Sequence, residues 1–303
     1  MWTAPLYTAA MMRQAAALGV TIAALAVVCA GGMPMARAQD ASAWNGEAHA
    51  AARLIAGAAV QSADTRVLRA GIEIRLDPGW KTFWRYPGDS GVPPTLDFAG
   101  SKNVKSVTAL WPAPQRFADG AGGHSIGYLG DVVLPLRILA DDATKPSTLR
   151  VKLGYAVCGT LCVPAEADLD LVLSGKAGAE EPALAAAEAR VPRRVPPGAA
   201  RGIGGGLAVR SVHREPAGAQ QRVVVEIAAP EGVPLDLFVE GPTPEWALPL
   251  PEPSAPAPGS APGTRQFTFD LDGLPPGAKP DGAIFTFTAI SPADAIEVKA
   301  HLD

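Results

Sequence analysis

Proline and glycine recur at short intervals along almost the whole chain, and this spacing limits what the chain can fold into. The 303 residues include 32 glycines and 30 prolines. Proline removes a backbone hydrogen-bond donor and glycine favours turn geometry, so short strands joined by turns are favoured over long helices. Between these breaks apolar and polar residues alternate, most clearly from Val67 to Leu76, as expected for a half-buried strand. The sequence therefore predicts an all-β protein.

The length of the chain is sufficient for two domains of ordinary size. About seven strands are predicted up to residue 175, which favours an antiparallel β-sandwich over residues 47–175. A short Ala/Glu-rich helix and a Pro/Arg/Gly-rich linker are predicted over residues 176–206. Residues 207–303 are predicted to form a second, smaller β-sandwich without cysteine. Within it, the Pro/Gly-rich segment 249–263 is predicted to be a flexible excursion.

The N-terminal segment has the pattern of an export signal. Arg13 precedes an apolar run from Ala15 to Ala30, and small residues flank Arg37 at positions 36 and 38. The sequence predicts a signal peptide over residues 1–38, cleavage after Ala38, and a periplasmic mature protein that is not stably inserted in a membrane. The apolar run is also compatible with a retained anchor, and Cys29 with lipoprotein processing.

The charge balance and the remaining motifs exclude several classes of function. The formal net charge is -4, which argues against a nucleic-acid partner or a polybasic membrane surface. The four histidines are scattered without metal-type spacing, and no phosphate-binding loop or nucleophile elbow occurs. The sequence predicts no cofactor and no metal site.

Cys158 and Cys162 form a close pair between two predicted strands. Fully extended, the four residue steps would span roughly 13 Å, beyond the Cα separation of about 4.4–6.8 Å that a disulfide usually has, so the chain must turn between them. Gly159 favours such a turn because it can adopt positive φ. Three interpretations remain open on these residues: thiol-disulfide exchange with another protein, a structural staple of the hairpin, or Cu(I) binding by two thiolates.

The segment from Pro112 to Gly127 is predicted to be a long loop that contains Phe117. Long loops in compact domains are uncommon and often functional. An isolated aromatic residue in such a loop would gain free energy by packing against sulfur.

Four segments together resemble a known family: Gly79–Arg85, Leu110–Phe117, Gly127–Leu136 and Tyr155–Glu166. They are similar to the N-terminal periplasmic domain of the thiol-disulfide interchange protein DsbD and of ScsB-like relatives, over about residues 50 to 175. The resemblance implies an immunoglobulin-like fold in which Cys158 and Cys162 are the catalytic pair of a thiol-disulfide oxidoreductase component. It further implies that Phe117 caps the disulfide.

The same resemblance implies the partners of the protein. Reducing equivalents would pass between the cysteine pair, thioredoxin-like periplasmic proteins and a separate membrane thiol reductase. Arg116 stands where the best-known member has an acidic residue, and an adjacent arginine would favour the thiolate form of a cysteine. The alternative is a non-enzymatic binding or scaffold protein with a structural hairpin disulfide, or a copper-handling protein.

Overall fold

The computed structural model describes residues 40–46, 48–63, 65–119, 122–198, 206–217 and 220–302. The predicted signal peptide and Cys29 lie outside these ranges. None of the helical structure in the described ranges has the length and apolarity that a membrane span requires.

The first half of the described chain is built from ten strands. They are β1 (Ala50–Ser62), β2 (Thr65–Leu76), β3 (Lys81–Gly88), β4 (Thr95–Asp97), β5 (Ser106–Ala109), β6 (Gln115–Ala118), β7 (His124–Leu129), β8 (Val132–Leu139), β9 (Ser147–Cys158) and β10 (Cys162–Leu173). One sheet has the strand order β1-β2-β8-β5 and the other the order β10-β9-β3-β7-β6, with β4 added beside β9. All of their pairings are antiparallel.

Alternation along these strands places the apolar residues between the two sheets. Ile72, Leu134, Val151 and Leu169 are buried there, and Trp84 is fully buried in the same core. This is the inward face that the period of two predicted from Val67 to Leu76.

One helix, α1 (Glu181–Ala189), follows β10 in the described chain and covers the outer face of the first sheet. Leu184 of this helix lies so close to Gly57 that a Cβ there would come within 2.4 Å of its Cδ2 atom. Arg69 fixes the helix to β2 through ion pairs with Glu181 and Glu188 at 2.5 and 2.6 Å. The helix is therefore held by a close backbone approach and by buried charge pairs.

Eight further strands follow the helix and form a second sandwich. They are β11 (Arg193–Arg194), β12 (Ala208–Ala217), β13 (Gln220–Ala228), β14 (Asp236–Glu240), β15 (Glu252–Ser254), β16 (Thr264–Asp270), β17 (Ile284–Ile290) and β18 (Ala295–His301). Their two sheets have the orders β11-β18-β17-β14 and β12-β13-β16-β15. Phe267, Phe285, Phe287 and Val298 fill the core between them.

The two sandwiches are in direct contact. Phe238 and Leu250, which belong to the second sandwich, are buried in the core cluster of the first. The ring centroid of Phe238 lies 5.9 Å from that of Trp84. The contact between the sandwiches is therefore partly a continuation of the first core.

The predicted all-β, immunoglobulin-like sandwich followed by a second β-sandwich is confirmed. Two segments differ from the prediction. The region 112–127, predicted to be a long loop, contains β6 and the start of β7, which pair as a hairpin. The segment 249–263, predicted to be a flexible excursion, contains β15, which pairs with β16. Both segments are rich in proline and glycine, which led to the prediction of loops. Strands as short as β6 and β15 need only a few ladder hydrogen bonds, so they can form between such residues. The predicted boundaries 47–175, 176–206 and 207–303 stay a prediction.

Candidate functional site

The two cysteines close the tip of a long hairpin. β9 and β10 are twelve residues each and pair along their whole length, from Ser147 opposite Leu173 to Cys158 opposite Cys162. The cysteines are joined by a disulfide with a Cα–Cα distance of 4.1 Å. Between them, the N–H of Gly159 donates a hydrogen bond to the carbonyl of Leu161 at 3.1 Å.

Gly159 is constrained by a close contact and not by the positive φ that the sequence suggested. It is absent from the described residues with positive φ, so the turn does not use the left-handed conformation. Instead, a Cβ at this position would lie 3.0 Å from the Cε2 atom of Trp80. Trp80 in turn stacks on His49 with ring centroids 3.9 Å apart, and His49 is hydrogen-bonded to Asp77 at 2.9 Å. The hairpin tip thus rests against an aromatic stack.

The two sulfur atoms have different environments. Cys158 is 2% exposed and packs with Phe83 and Ala156 in a small separate cluster. Cys162 is exposed, and its neighbour Leu161 in the turn is 75% exposed. A partner can therefore reach Cys162 from solvent while Cys158 lies beneath it.

A lysine lies beside the buried cysteine. Lys81 on β3 is directly opposite Cys158 on β9, and residues opposite each other in an antiparallel pair project from the same face with Cβ atoms about 4.5–5.5 Å apart. The Lys81 ammonium donates a hydrogen bond to Ser125 Oγ at 3.0 Å. It also lies 5.2 Å from the centre of the Phe117 ring, within the range of a cation–π interaction.

Phe117 shares this face of the sheet but belongs to another strand. It lies on β6 opposite Ser125 of β7, and β7 and β3 separate β6 from the strand of Cys158. The Lys81 side chain connects the two strands. Its backbone lies opposite Cys158, and its ammonium contacts Ser125 and the Phe117 ring. Phe117 pairs at Ser125 of β7 and Lys81 at Leu129, so they lie at different heights on the same outer face and are connected by the Lys81 side chain; we call Phe117, Lys81 and the disulfide the cap row.

Arg116 is not in the cap row. Successive side chains of a strand point to opposite faces, and Arg116 lies opposite the fully buried Ile126. Its guanidinium pairs with Asp236 at 2.8 Å and with Glu252 at 2.7 Å, both in the second sandwich. The guanidinium of Arg116 is thus engaged by the second sandwich, and its role in favouring a thiolate stays a prediction; Lys81 is the basic residue whose backbone lies opposite Cys158.

Sequence reasoning missed Lys81, Trp80 and His49 as neighbours of the cysteine pair. Trp80 and Lys81 stood in one of the segments that carried the family resemblance, but nothing local pointed to their partners. Which residue of β3 lies opposite Cys158 depends on the register between strands distant in sequence. Among the residues that the structure describes, no cluster of three or more His, Cys, Asp or Glu side chains is arranged to hold a metal ion.

The fold and the site define a class: an immunoglobulin-like β-sandwich with an accessible disulfide at a hairpin tip, followed by a second sandwich. Residues 51–174 match the family described as the N-terminal domain of the thiol:disulfide interchange protein DsbD. The resemblance to a DsbD/ScsB-like N-terminal domain is confirmed over this segment, which contains both cysteines, Lys81 and Phe117.

A solved structure extends the similarity of fold to the second sandwich. The crystal structure of the N-terminal periplasmic domain of ScsB from Proteus mirabilis matches with a TM-score of 0.65 and 23% sequence identity. The match covers 87% of this chain and 98% of the ScsB chain. At this identity the similarity establishes the shared fold. No curated protein matches the sequence.

Proposed function

We propose that the chain is a periplasmic thiol-disulfide exchange protein that passes reducing equivalents through Cys158 and Cys162 to or from thioredoxin-like partners. One observation carries the proposal: an exposed Cys162 is bonded to a buried Cys158 at the tip of a hairpin that is already fully paired. The family match over residues 51–174 supports it.

The position of the disulfide argues against a structural staple. The ladder between β9 and β10 already holds the two cysteines opposite each other. Closing a loop of so few residues removes less entropy from the unfolded chain than closing a long one. Stability is therefore a weak reason for a disulfide at this place, whereas access from solvent is useful for exchange.

The difference in burial supports different roles for the two sulfurs in the proposed exchange. A thiolate of the partner attacks the Sγ atom of Cys162, a new S–S bond forms, and the Cys158–Cys162 bond breaks. Its electron pair leaves on Cys158 as a thiolate. The second thiolate of the partner then attacks the partner's own sulfur, which releases Cys162 as a thiolate. This chain gains two electrons and the partner becomes a disulfide; the same steps in reverse oxidise this chain.

Lys81 is suited to stabilise the leaving thiolate. A thiolate on Cys158 would be costly because its surroundings are apolar, and a neighbouring ammonium offsets that cost. In the disulfide state the ammonium is occupied by Ser125 and Phe117. Phe117 thus caps the site through Lys81, and its withdrawal would free the lysine for the new thiolate.

The partners follow from the chemistry of the pair. A two-electron exchange requires a dithiol or two separate thiols on the other reactant, and the proposal takes that reactant to be a thioredoxin-like protein. A separate membrane thiol reductase would supply the electrons. The ScsB domain with the shared fold is periplasmic, which supports the same location here.

The direct test is a mixed-disulfide trap with a thioredoxin whose resolving cysteine is replaced and whose remaining cysteine is activated as a disulfide with thionitrobenzoate, which leaves as a thiolate when a cysteine of this chain attacks. Cys158→Ala should leave Cys162 exposed and form a stable mixed disulfide, while the matched variant Cys162→Ala should form little. Equal trapping by both variants would refute the assigned roles. A reduction potential of the wild-type pair below about -300 mV, where structural disulfides lie, would refute exchange itself.

A further inference from the structure

The edge strands of three different sheets meet at Arg116. Arg116 is on β6, which is the last strand of its sheet in the first sandwich. Its carboxylate partners Asp236 and Glu252 are on β14 and β15, which are the last strands of the two sheets of the second sandwich. One side chain therefore joins the first sandwich to both layers of the second.

The contacts of Arg116 use almost the whole guanidinium group. Nη2 and Nε reach the two carboxylate oxygens of Asp236 at 2.8 and 3.3 Å, and Nη1 reaches Glu252 at 2.7 Å. Nη2 also donates to the carbonyls of Pro251 at 2.9 Å and Leu237 at 3.3 Å. The side chain is only 15% exposed. A two-pronged contact of this kind fixes orientation as well as distance, which a lysine could not reproduce.

β6 itself has little else to hold it. It is four residues long and pairs on one side only, with β7. Its next residue after Arg116 is Phe117, whose side chain projects from the opposite face into the cap row. An anchor on one face of so short a strand therefore limits the movement of the residue on the other face.

We propose that Arg116 is a positioning residue through which the second sandwich holds the cap. The inference deepens the proposed function, on which it rests, by giving the second sandwich a role at the cysteine site. The Asp236 and Glu252 carboxylates hold Arg116, Arg116 holds β6, and β6 keeps Phe117 against Lys81. Loosening this anchor makes the closed position of Phe117 less populated and frees the Lys81 ammonium for the leaving thiolate of Cys158, which speeds reduction by small thiols.

A second ion-pair group in the same contact provides a matched control. Arg85 on β3 pairs with Glu240 and Glu297 of the second sandwich, each at 2.7 Å. It is a partly buried arginine with two carboxylate partners, as Arg116 is, but it is not on the cap strand. Loss of Arg85 weakens the contact between the sandwiches without releasing β6.

The experiment measures the rate at which dithiothreitol reduces the disulfide in the mature chain. The variants are Arg116→Gln, Phe117→Ala, their double variant, and Arg85→Gln, with folding verified by circular dichroism. Arg116→Gln and Phe117→Ala should each speed reduction by about 2- to 10-fold, the range expected for losing one aromatic contact. The double variant should be no faster than Phe117→Ala, and Arg85→Gln should match the wild type. Asp236→Asn removes the charge of the partner carboxylate instead and should speed reduction as Arg116→Gln does. It replaces Arg116→Gln in the comparison if Arg116→Gln does not fold.

The outcomes separate this inference from the proposed function. Acceleration by Phe117→Ala but not by Arg116→Gln or Asp236→Asn overturns the anchor and leaves exchange intact. If the double variant is faster than either single variant by the product of their effects, Arg116 acts independently of Phe117. If Arg85→Gln accelerates reduction as much as Arg116→Gln, Arg116 acts on general stability. Either result also overturns the anchor. An unchanged rate in Phe117→Ala removes the cap and the anchor together. Exchange is judged independently by the mixed-disulfide trap.

Discussion

Lys81 lies directly opposite Cys158 in the antiparallel ladder between β3 and β9. This pairing places the base of the Lys81 side chain beside the buried cysteine, while its ammonium contacts Ser125 and Phe117 and Cys162 remains open to solvent. In the proposed exchange the buried sulfur carries the negative charge when a partner attacks the exposed one. Turning of the ammonium from Ser125 toward Cys158 would then supply an electrostatic partner where that charge develops.

Lys81→Met should make the thiolate of the reduced protein harder to form. An opposite charge within about 4–6 Å favours the charged form of a titrating group by one or more pH units, so the lower midpoint of thiolate formation should rise by about one pH unit. Ultraviolet thiolate absorbance of the reduced protein as a function of pH measures it. Lys81→Arg should stay close to the wild type, and Lys152→Met, on an exposed part of β9, should have no effect. An unchanged midpoint in Lys81→Met would remove Lys81 from the mechanism.

The double change Cys158→Ala, Cys162→Ala should leave the protein folded. Closing so short a loop contributes at most about 2 kcal/mol in the chain-entropy description, against typical domain stabilities of about 5–15 kcal/mol. Urea unfolding followed by circular dichroism measures the loss, and the reduced wild-type protein is the matched control. Unfolding in buffer without urea would mean that the disulfide is a staple after all.

Gly127→Ala should destabilise the first sandwich, because β7 passes very close to β3 at this point. A Cβ on Gly127 would lie 2.0 Å from the carbonyl oxygen of Thr82, so one strand must shift. Overpacking of this kind costs about 1–3 kcal/mol, and the shift should also alter the reduction rate of the disulfide. Gly130→Ala, in the adjacent turn, adds left-handed strain at φ +72 without any contact, and should cost about 1–2 kcal/mol with an unchanged reduction rate. Equal effects of both variants on the rate would contradict the close approach as the cause.

Stability should fall in acid partly through Glu188. Burial alone would raise the pKa of this carboxyl, but hydrogen bonds from Arg69 and Arg137 outweigh burial and hold the pKa below its ordinary value of 4.5. A group with a lowered pKa in the folded state stabilises the protein above its unfolded pKa, and loses that contribution as the pH falls through the folded value. Glu188→Gln should therefore lower the free energy of unfolding at neutral pH and flatten its decline below pH 4.5.

Urea unfolding at a series of pH values checks this effect. Glu231→Gln, at an exposed position, is the control and should leave the acid slope unchanged. A Glu188→Gln variant with the full wild-type slope would show that other carboxylates carry the acid dependence. Arg69→Met should cost more at neutral pH, about 3–5 kcal/mol, because it removes the arginine partner of Glu181 and leaves Glu188 with Arg137 alone.

The sequence by itself determined the class of fold and identified Cys158 and Cys162 as the candidate redox pair. Alternation from Val67 to Leu76 and frequent turn residues are local properties, so they predicted strands and a sandwich without knowledge of the partners of each strand. The short spacing of Cys158 and Cys162 required a turn whatever the rest of the chain does. The position of Phe117 in a family pattern marked it as a cap, which stays a prediction.

Only the tertiary structure decided what surrounds that pair. Arg116 and Lys81 both stand in segments that carried the family resemblance, yet the guanidinium of Arg116 pairs with Asp236 and the backbone of Lys81 lies opposite Cys158. The sequence also left open which sulfur a partner attacks, and the burial of Cys158 beside an exposed Cys162 supports the proposal that it is Cys162. These facts depend on strand register, pleat direction and packing between segments far apart in the chain. A shift of one residue in the register of a ladder would move the side chains of that strand to the opposite face of the sheet. No local sequence pattern determines this register.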